Sequence, residues 1–237
     1  MGIFTSRDNT EDAAYLMAMR DRLRRAFEEH SGLDNSQDLL AGLEVKCVLD
    51  VACGVGQALL PLAVGTGAFG VGVDASEMAC RIGSQSFDAY RRESPPAFVR
   101  GRAESLPFES ARFDVVNCAL ALPYTNNKRA LKEMSRVLQP GGLLILRFHH
   151  ALFYTWMLWR GLKSLDLHPI VHAARVLLAG TLYHLSGRQC RIRWLSETFQ
   201  TRWQLRRDLE SAGLYIDYEL AGSHPQSPTF AISKRER

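Results

Sequence analysis

The feature that most restricts how this chain can fold is a repeated alternation of apolar, strand-like runs with amphipathic helical segments. The runs that suit buried strands are "KCVLDV", "GAFGVGVD", "AFVR", "RFDVVNCALAL" and "LLILRFHH". Helical patterns such as "SEMACRIGSQSFDAYRRE" and "NKRALKEMSRVL" lie between them. Consecutive strands joined by helices require right-handed crossovers, which make the strands parallel. The alternation therefore predicts an α/β fold with a doubly wound sheet.

The alternation stops near residue 150 and resumes near residue 199 with one helix and two further strands. Thr201 and Gln204 are spaced for a capping box at the start of this helix, and Gly213 suits its end. The last strand, "TFAISK", follows the loop "AGSHPQSP", which is too short to contain a crossover helix. It must therefore run antiparallel to its neighbour. We predict a seven-stranded, mostly parallel sheet with an antiparallel last strand and a helical insertion after strand five.

The predicted domain organisation is an N-terminal helical cap, residues 1–44, followed by one larger domain, residues 45–237. The cap contains an amphipathic helix at about 11–30, and the larger domain contains the helical insertion at 150–197. With 237 residues, of which 46% are apolar, the chain is long enough to bury one sizeable core.

The stretch "VLDVACGVGQ", residues 48–57, indicates a ligand site. An apolar strand ends at an acid, Asp50, and continues into a turn that contains Gly54 and Gly56. Glycine has no Cβ, so the turn can be sharp and a ligand can lie against bare backbone. A helix is predicted after the turn, at about 57–64, although Pro61 limits its first turns. Strand, glycine turn and helix together are typical of small-molecule sites in open α/β sheets.

The two acids at strand ends indicate which ligand this would be. Asp50 would oppose a phosphate, and Leu59 stands where a dinucleotide fingerprint requires its third glycine. An acid at this position suits a ligand with a cationic end, such as an amino acid. Asp74 ends the second strand about 20 residues further on, where an acid accepts hydrogen bonds from ribose hydroxyls. An amino-acid end and a ribose together describe S-adenosylmethionine.

Four stretches in order resemble the class I S-adenosylmethionine-dependent methyltransferases, particularly the small-molecule group that includes ubiquinone- and menaquinone-pathway enzymes. They are "VLDVACGVGQ", "VGVDASEM", "AESLPFESARFDVV" and "ALKEMSRVLQPGGLLIL". With the antiparallel final strand, the resemblance covers roughly residues 45–148 and 199–235. It implies a Rossmann-like methyltransferase that uses S-adenosyl-L-methionine as its cofactor.

The resemblance also implies a set of cofactor-binding residues. Asp50, Gly54 and Gly56 would hold the methionine portion, and Asp74 would bind the ribose. The other implied residues lie in the glycine loop, beside the adenine or after strand four: Ala52, Cys53, Gln57, Ala75, Met78, Ala103, Glu104 and Asn117. Ala75 or Met78 would pack on the adenine, and Ala52 replaces a glycine that is frequent in the family.

One position departs from the family pattern on the adenine side. Arg102 stands where relatives commonly carry an acid. Either Glu104 contacts the adenine amino group, or only backbone groups do.

Methyl transfer requires a catalytic side chain only when the acceptor must lose a proton. His149 and His150, at the carboxyl end of strand five, are the candidate bases, and Tyr124 is a further candidate in the acceptor pocket. If the strand alternation continues, one of the two histidines should point into the site. The alternative is that neither histidine takes part in chemistry and one merely lines the pocket.

The insertion at 150–197 contains a dense aromatic group, Phe153, Trp156 and Trp159, beside the predicted active site. Charged side chains interrupt it too often for it to span a bilayer. Three interpretations stay open: a lid over an apolar acceptor, a structural cover or dimer contact, and a peripheral membrane or partner surface at 150–186. The first favours a small, apolar or aromatic acceptor.

The net charge, motif spacing and cysteine distribution argue against several other classes of protein. The net charge of +4 is dispersed and does not favour nucleic acid. Asn117 and Pro123-Tyr124 are too far apart to form the Asn-Pro-Pro-Tyr motif of amino-methylating DNA enzymes. The five cysteines are unclustered, which indicates reduced thiols and no metal site.

The amino-terminal residues show no apolar signal-peptide core, which predicts a cytoplasmic protein.

The alternatives to small-molecule methylation are a non-catalytic S-adenosylmethionine-binding module and methylation of protein or RNA. The acceptor, the methylated atom and the oligomeric state stay open.

Overall fold

The structure is a computed structural model that describes residues 9–29, 39–40, 42–89, 95–190, 195, 197–220 and 223–234. Within these residues, seven strands form one sheet: β1 (Cys47–Val51), β2 (Phe69–Asp74), β3 (Ala97–Arg100), β4 (Phe113–Ala119), β5 (Leu138–Arg147), β6 (Leu214–Glu219) and β7 (Thr229–Lys234). The helices are α1 (Asn9–Glu29), α2 (Glu77–Ala89), α3 (Asn127–Val137), α4 (Ala151–Ser164), α5 (Leu167–Ser186) and α6 (Arg202–Ser211).

The strand order is β3-β2-β1-β4-β5-β7-β6. The pairs β1–β2, β1–β4, β2–β3 and β4–β5 are parallel, whereas β7 runs antiparallel to both β5 and β6. The predicted fold class, a mostly parallel seven-stranded sheet with an antiparallel last strand, is confirmed. Because β2 and β3 are added on one side of β1 whereas β4 and β5 are added on the other, the carboxyl ends of β1 and β4 flank the crevice where ligands bind in such sheets.

Each face of the sheet buries its own apolar layer. One layer joins α3 and α6 to the sheet, through Leu131, Met134 and Leu205. The other joins α1 and α2 to the opposite face, through Leu23 and Ile82. Strands with apolar side chains on both faces are what parallel crossovers require, since helices cover both sides of the sheet.

The helix that was predicted directly after the glycine loop is wrong in length and type. The chain passes through turns and forms only a short π-helical segment, Leu60–Val64, in which the N–H of Gly65 donates to the carbonyl of Leu60 at 2.9 Å. Pro61 lies at the start of this segment and has no N–H to donate. Gly65 and Gly67 follow within one turn and end it. The glycine loop is therefore followed by a turn rather than by a long helix.

The end of α6 at Gly213 is as the sequence predicts, and a serine caps the start of α2. The Ser76 hydroxyl accepts from the N–H of Ala79 at 3.2 Å, and Gly213 has a φ of +73° at the end of α6. The capping box at α6 is only half formed. The Thr201 hydroxyl accepts from the N–H of Gln204 at 3.3 Å, but the Gln204 side chain donates to Asp208 instead of returning to Thr201.

The insertion after β5 is a helical hairpin, α4 and α5, with a small apolar core of its own. Tyr154, Ala173 and Val176 are buried there together with Phe199, which precedes α6. The hairpin is joined to the rest of the fold by a hydrogen bond from the Tyr183 hydroxyl to Asp208 and by one between His184 and Thr201 at 2.9 Å. No helix among the described residues is long and apolar enough to cross a membrane. The domain boundary at residue 44 stays a prediction.

Candidate cofactor and acceptor site

The carboxyl ends of β1 and β4 bring Asp50 and Asn117 together. They are register partners in the sheet, and the Asn117 Nδ2 donates to Asp50 Oδ1 at 2.7 Å. Asp50 is only 3% exposed. A buried carboxylate is costly unless hydrogen bonds stabilise it, and the Asn117 amide supplies one of them. The negative charge is thereby fixed in orientation at the sheet edge, where it suits a cationic ligand group.

Asp74 connects the glycine loop to the beginning of α2. Its Oδ2 accepts from the N–H of Gly54 at 2.9 Å, and its Oδ1 accepts from the N–H of Ser76 at 2.8 Å. An ionised carboxylate has about four lone-pair sites, so these two bonds leave acceptor capacity on both oxygens. Asp74 can therefore hold the loop and still accept hydrogen bonds from a ligand hydroxyl.

The glycine loop contains three residues with positive φ: Ala52 at 57°, Gly54 at 56° and Gly56 at 86°. A Cβ on Gly56 would lie 2.6 Å from the ring of Phe98, so Gly56 is required by packing. A Cβ on Gly54 would meet nothing within 4 Å, so this backbone borders open space. Ala52 is exposed and has a conformation that disfavours a Cβ, so glycine would adopt it with less strain.

The side chains of two predicted cofactor residues in the loop contact other parts of the protein. Cys53 is buried, and its Sγ lies 2.7 Å from where Gly72 would carry a Cβ, so the thiol packs on the sheet. Burial, reinforced by the charges of Asp50 and Asp74, raises the pKa of Cys53 well above its ordinary value. Gln57 donates from Nε2 to the Met19 Sδ at 3.3 Å. Both side chains hold the loop against its surroundings.

On the predicted adenine side, Ala75 and Met78 are exposed beyond Asp74, whereas Ala103 is buried. Glu104 accepts from the N–H of Asn126 at 3.0 Å, and its other oxygen lies 3.6 Å from the Nε of Arg102. Arg102 thus stands beside Glu104, the acid that in one of the two alternatives contacts the adenine amino group. Both alternatives, a Glu104 contact and a backbone contact, stay predictions.

The structure gives the two candidate histidines different surroundings. The Nδ1 of His149 lies 2.9 Å from the Ser227 hydroxyl, and its ring stacks on Phe153 at 3.9 Å between centroids. Burial, with the charge of Arg147 adding to it, lowers the pKa of His149 to about 4. His150 is instead the N-cap of α4, where its Nδ1 accepts from the N–H of Leu152 at 3.3 Å. His149 lines an aromatic wall, and His150 has a local structural role.

A buried polar group in the hairpin was not foreseen from the sequence. The Tyr154 hydroxyl donates to Glu197 Oε1 at 2.8 Å, and His172 Nε2 lies 3.5 Å from Glu197 Oε2. Tyr124, the third predicted catalytic residue, ends the short helical turn Leu122–Tyr124 and is 40% exposed. The only signal in the sequence was an isolated acid in the segment before α6, which is too little to predict its partners.

The aromatic group predicted in the insertion divides into two parts. Phe153 and Tyr154 lie on the inner side with His149, and their rings meet edge to face at 5.2 Å. Trp156 and Trp159 are 40% and 53% exposed. The two tryptophans therefore lie on the exposed surface of the hairpin, and the lid over an acceptor stays a prediction.

Comparison with known proteins gives matches in the part of the chain that contains the glycine loop. Residues 49–146 match the model of a family described as a methyltransferase domain. The demethylmenaquinone methyltransferase of Renibacterium salmoninarum is 35% identical over 136 residues, or 54% of each chain. The enzyme of the same name from Staphylococcus aureus is 36% identical over 100 residues, which is 41% of this chain and 40% of that one. The chain thus matches about half the length of these relatives, or less.

Solved structures share the fold at low sequence identity. A chain of the complex between the Haloferax volcanii Trm112 methyltransferase activator and a methyltransferase has a TM-score of 0.62 at 17% identity, and the match covers 98% of this chain and 100% of that chain. An S-adenosylmethionine-dependent methyltransferase from Methanosarcina mazei has a TM-score of 0.59 at 23% identity, with 86% and 100% coverage. The [4+2]-cyclase SpnF has a TM-score of 0.60 at 18% identity, with 85% and 81% coverage.

Proposed function

We propose that this chain, which carries a class I S-adenosylmethionine-dependent methyltransferase domain, transfers a methyl group from S-adenosylmethionine to a small, apolar or aromatic molecule. The observation that carries the proposal is the arrangement at the edge of β1 and β2. There, a buried acid and a second, loop-bound acid flank a stretch of backbone that borders open space. A negative charge at one end, a carboxylate that can accept from hydroxyls at the other and the bare backbone of Gly54 between them fit this cofactor.

The residues present fit the cofactor in three respects. Asp50 supplies negative charge for an ammonium group, and Asn117 orients it. Gly54 would allow the ligand to lie against the backbone, and Asp74 retains acceptor capacity for ribose hydroxyls. The bound cofactor would supply an activated methyl group on a sulfonium. The protein then has mainly to align donor and acceptor, and alignment alone can lower a barrier by roughly 7–11 kcal/mol.

The acceptor is proposed to lie against the aromatic wall of His149, Phe153 and Tyr154. With a pKa of about 4, His149 is neutral at physiological pH and is a weak base. Its Nδ1 is committed to Ser227, so only Nε2 is available to orient or accept a proton from an acceptor hydroxyl. We therefore propose that His149 positions the acceptor and that His150, a helix cap, does not take part. Tyr124 is kept as a candidate for the acceptor pocket, as its place after β4 suggests.

The names of the relatives suggest where to begin the search for the acceptor. Relatives from Renibacterium salmoninarum and Staphylococcus aureus are named demethylmenaquinone methyltransferase, so an aromatic quinone is the first acceptor to test. The second candidate function is a module that binds S-adenosylmethionine without methyl transfer. Methyl transfer is not the only activity found on this fold, because a chain of similar fold is a [4+2]-cyclase.

The test combines binding with turnover. Calorimetry should show that S-adenosylmethionine and S-adenosylhomocysteine bind to the purified protein, and Asp50→Asn should weaken both. Release of S-adenosylhomocysteine should then be measured with demethylmenaquinone and with a panel of phenols, catechols and apolar carboxylic acids. Binding without release across the panel would support the module, whereas absence of binding would contradict both functions.

A further inference from the structure

The outer side of α4 carries an exposed apolar stripe. Leu152, Trp156, Trp159 and Leu162 are spaced so that they share one side of the helix, and all four are exposed. The inner side of the same helix contributes the buried Tyr154 to the core of the hairpin. Helix α4 is therefore apolar on two sides, and only one of them is covered within the described residues.

Helix α5 shows the same arrangement over a greater length. Its exposed apolar residues recur every three to seven positions: Leu167, Val171, Leu178, Leu182 and Leu185. These positions fall on one side of the helix and extend for about 27 Å along its axis at 1.5 Å per residue. The buried residues of α5 occupy the other side. We call the exposed apolar residues of both helices, together with Leu165, the outer stripe.

The tip of the hairpin continues the outer stripe. Leu165 is 86% exposed and has a φ of 53°, a left-handed conformation that glycine or asparagine would adopt more easily. Neither exposure nor backbone conformation favours leucine at this position. Folding of the hairpin therefore does not explain why an apolar side chain is presented there.

Charges on the hairpin show which partner would suit the outer stripe. Between residues 151 and 190 there are four basic residues (Arg160, Lys163, Arg175 and Arg188) and one acid, Asp166. The Asp166 carboxylate accepts from the N–H of His168 at the start of α5. Lys163 Nζ lies 3.9 Å from the Trp159 ring centroid, and the guanidinium of Arg160 lies 4.8 Å from that of Trp156. Tryptophan, leucine and basic side chains in one surface are typical of helices that lie in a membrane interface.

From these observations we propose that the outer stripe docks on the surface of a lipid bilayer that contains anionic headgroups. The apolar side chains would enter the boundary between headgroups and acyl chains, while Arg160 and Lys163 would contact lipid phosphates. A second copy of the chain fits this surface less well. A symmetric contact would bring basic residues together, and the single acid of the hairpin already caps a helix.

Membrane docking of the outer stripe is a property separate from methyl transfer. The inner side of α4 contributes Phe153 and Tyr154 to the aromatic wall. The outer stripe lies on the other side of the helix. Docking would therefore place the hairpin between a membrane and the proposed acceptor site. Vesicle binding needs neither cofactor nor acceptor, so its failure and the failure of the proposed activity can be distinguished.

The experiment is co-sedimentation of the full chain with two kinds of vesicle, pure phosphatidylcholine and an equal mixture of phosphatidylcholine and phosphatidylserine. We expect the chain to bind the mixed vesicles more tightly, and added salt to weaken binding. The double substitution Trp159→Ser and Leu165→Ser should lower the partition coefficient by about tenfold or more. Lys163→Gln, which removes one charge and no apolar group, should lower it by about fivefold.

Matched controls lie on α6. Trp203 is 58% exposed with the guanidinium of Arg207 4.7 Å from its ring centroid, and Arg206 is exposed nearby. Trp203→Ser and Arg206→Gln should leave vesicle binding unchanged. Absence of sedimentation with both vesicles, or equal losses in the α6 variants, would overturn the proposal. So would a wild-type dimer that the double substitution converts into a monomer without affecting vesicle binding.

Discussion

Asp74 illustrates how one side chain can serve both the loop and the ligand, because its two oxygens already accept from Gly54 and Ser76. We predict that Asp74→Ala lowers the affinity for S-adenosylmethionine by about ten- to a hundredfold, or roughly 1.5–3 kcal/mol, the typical value of a hydrogen bond to a charged group. Calorimetry on the folded variant measures this. Asp88→Ala, an exposed acid on α2, is the control. Unchanged affinity in a folded Asp74→Ala variant would exclude Asp74 from the site.

Gly54 and Gly67 allow backbone strain to be separated from ligand contact. Both have positive φ, 56° and 76°, and a Cβ on either would meet nothing within 4 Å. Gly54→Val and Gly67→Val should therefore destabilise the fold by similar amounts. Only Gly54→Val should abolish cofactor binding, since only its side chain would occupy the ligand space. Thermal melts and calorimetry on the two variants check this, and normal binding by Gly54→Val would show that the loop is wrongly placed.

For single residues, the sequence was most informative where the position of the residue follows from its place in a strand. Asp50 and Asp74 could be placed because they end strands, and strand ends meet at one sheet edge. The directions of Cys53 and Gln57 could not be predicted, because they depend on tertiary neighbours. Gly72 leaves room for the Cys53 thiol, and Met19 comes from a helix distant in sequence.

Among the elements, α4 has two sides with different expected effects. Phe153 stacks on His149 at the proposed acceptor wall, whereas Trp156 is exposed on the outer stripe. We predict that Phe153→Ala raises the KM for an apolar acceptor and leaves cofactor affinity nearly unchanged, because truncating a packed aromatic residue removes contacts on that side only. Trp156→Ala should change neither quantity with a soluble acceptor.

Steady-state kinetics with a water-soluble acceptor analogue, together with cofactor calorimetry, measures both effects. A Trp156→Ala variant with the raised KM, alongside a normal Phe153→Ala variant, would reverse the assignment of the two sides. A fall in melting temperature for Phe153→Ala, with both ligands affected equally, would show that this ring is structural only.

Elements were predictable where periodicity and end signals agreed. The seventh strand, Thr229–Lys234, coincides with "TFAISK", and the antiparallel direction followed from a loop too short for a helix. The helix after the glycine loop failed because Pro61 and the following glycines override an apolar pattern. The insertion was recognisable as helical, but its apolar residues alone could not show which side of α4 would be covered.

For the molecule as a whole, His149 couples folding to pH. Its pKa falls from an ordinary 6.5 to about 4, chiefly by burial, so the unfolded chain binds the proton more readily than the folded one. The resulting stability is fully present above pH 6.5 and is lost as pH falls towards 4. Between about pH 7 and about pH 5 we expect this group to account for about 1–2 kcal/mol of the loss in unfolding free energy, after allowance for its partial exposure.

Urea denaturation at both pH values measures the loss. His149→Asn, which can retain a hydrogen bond to Ser227, should lose less stability on acidification than the wild type. His224→Asn replaces an exposed histidine and should behave like the wild type. Equal pH dependence in the His149→Asn variant would rule out this explanation.

The strand order has a consequence for how the protein is made. β7 lies between β5 and β6, yet residues 229–234 leave the ribosome after all the other strands. Until then the edge of β5, with its buried residues Leu144, Ile145 and Leu146, has no partner on that side, and β6 lacks the strand that attaches it to the sheet. An unpaired apolar edge is a template for aggregation. The nascent chain therefore carries an open edge from the synthesis of β5 until that of β7, and protection by a chaperone would be most useful in this interval.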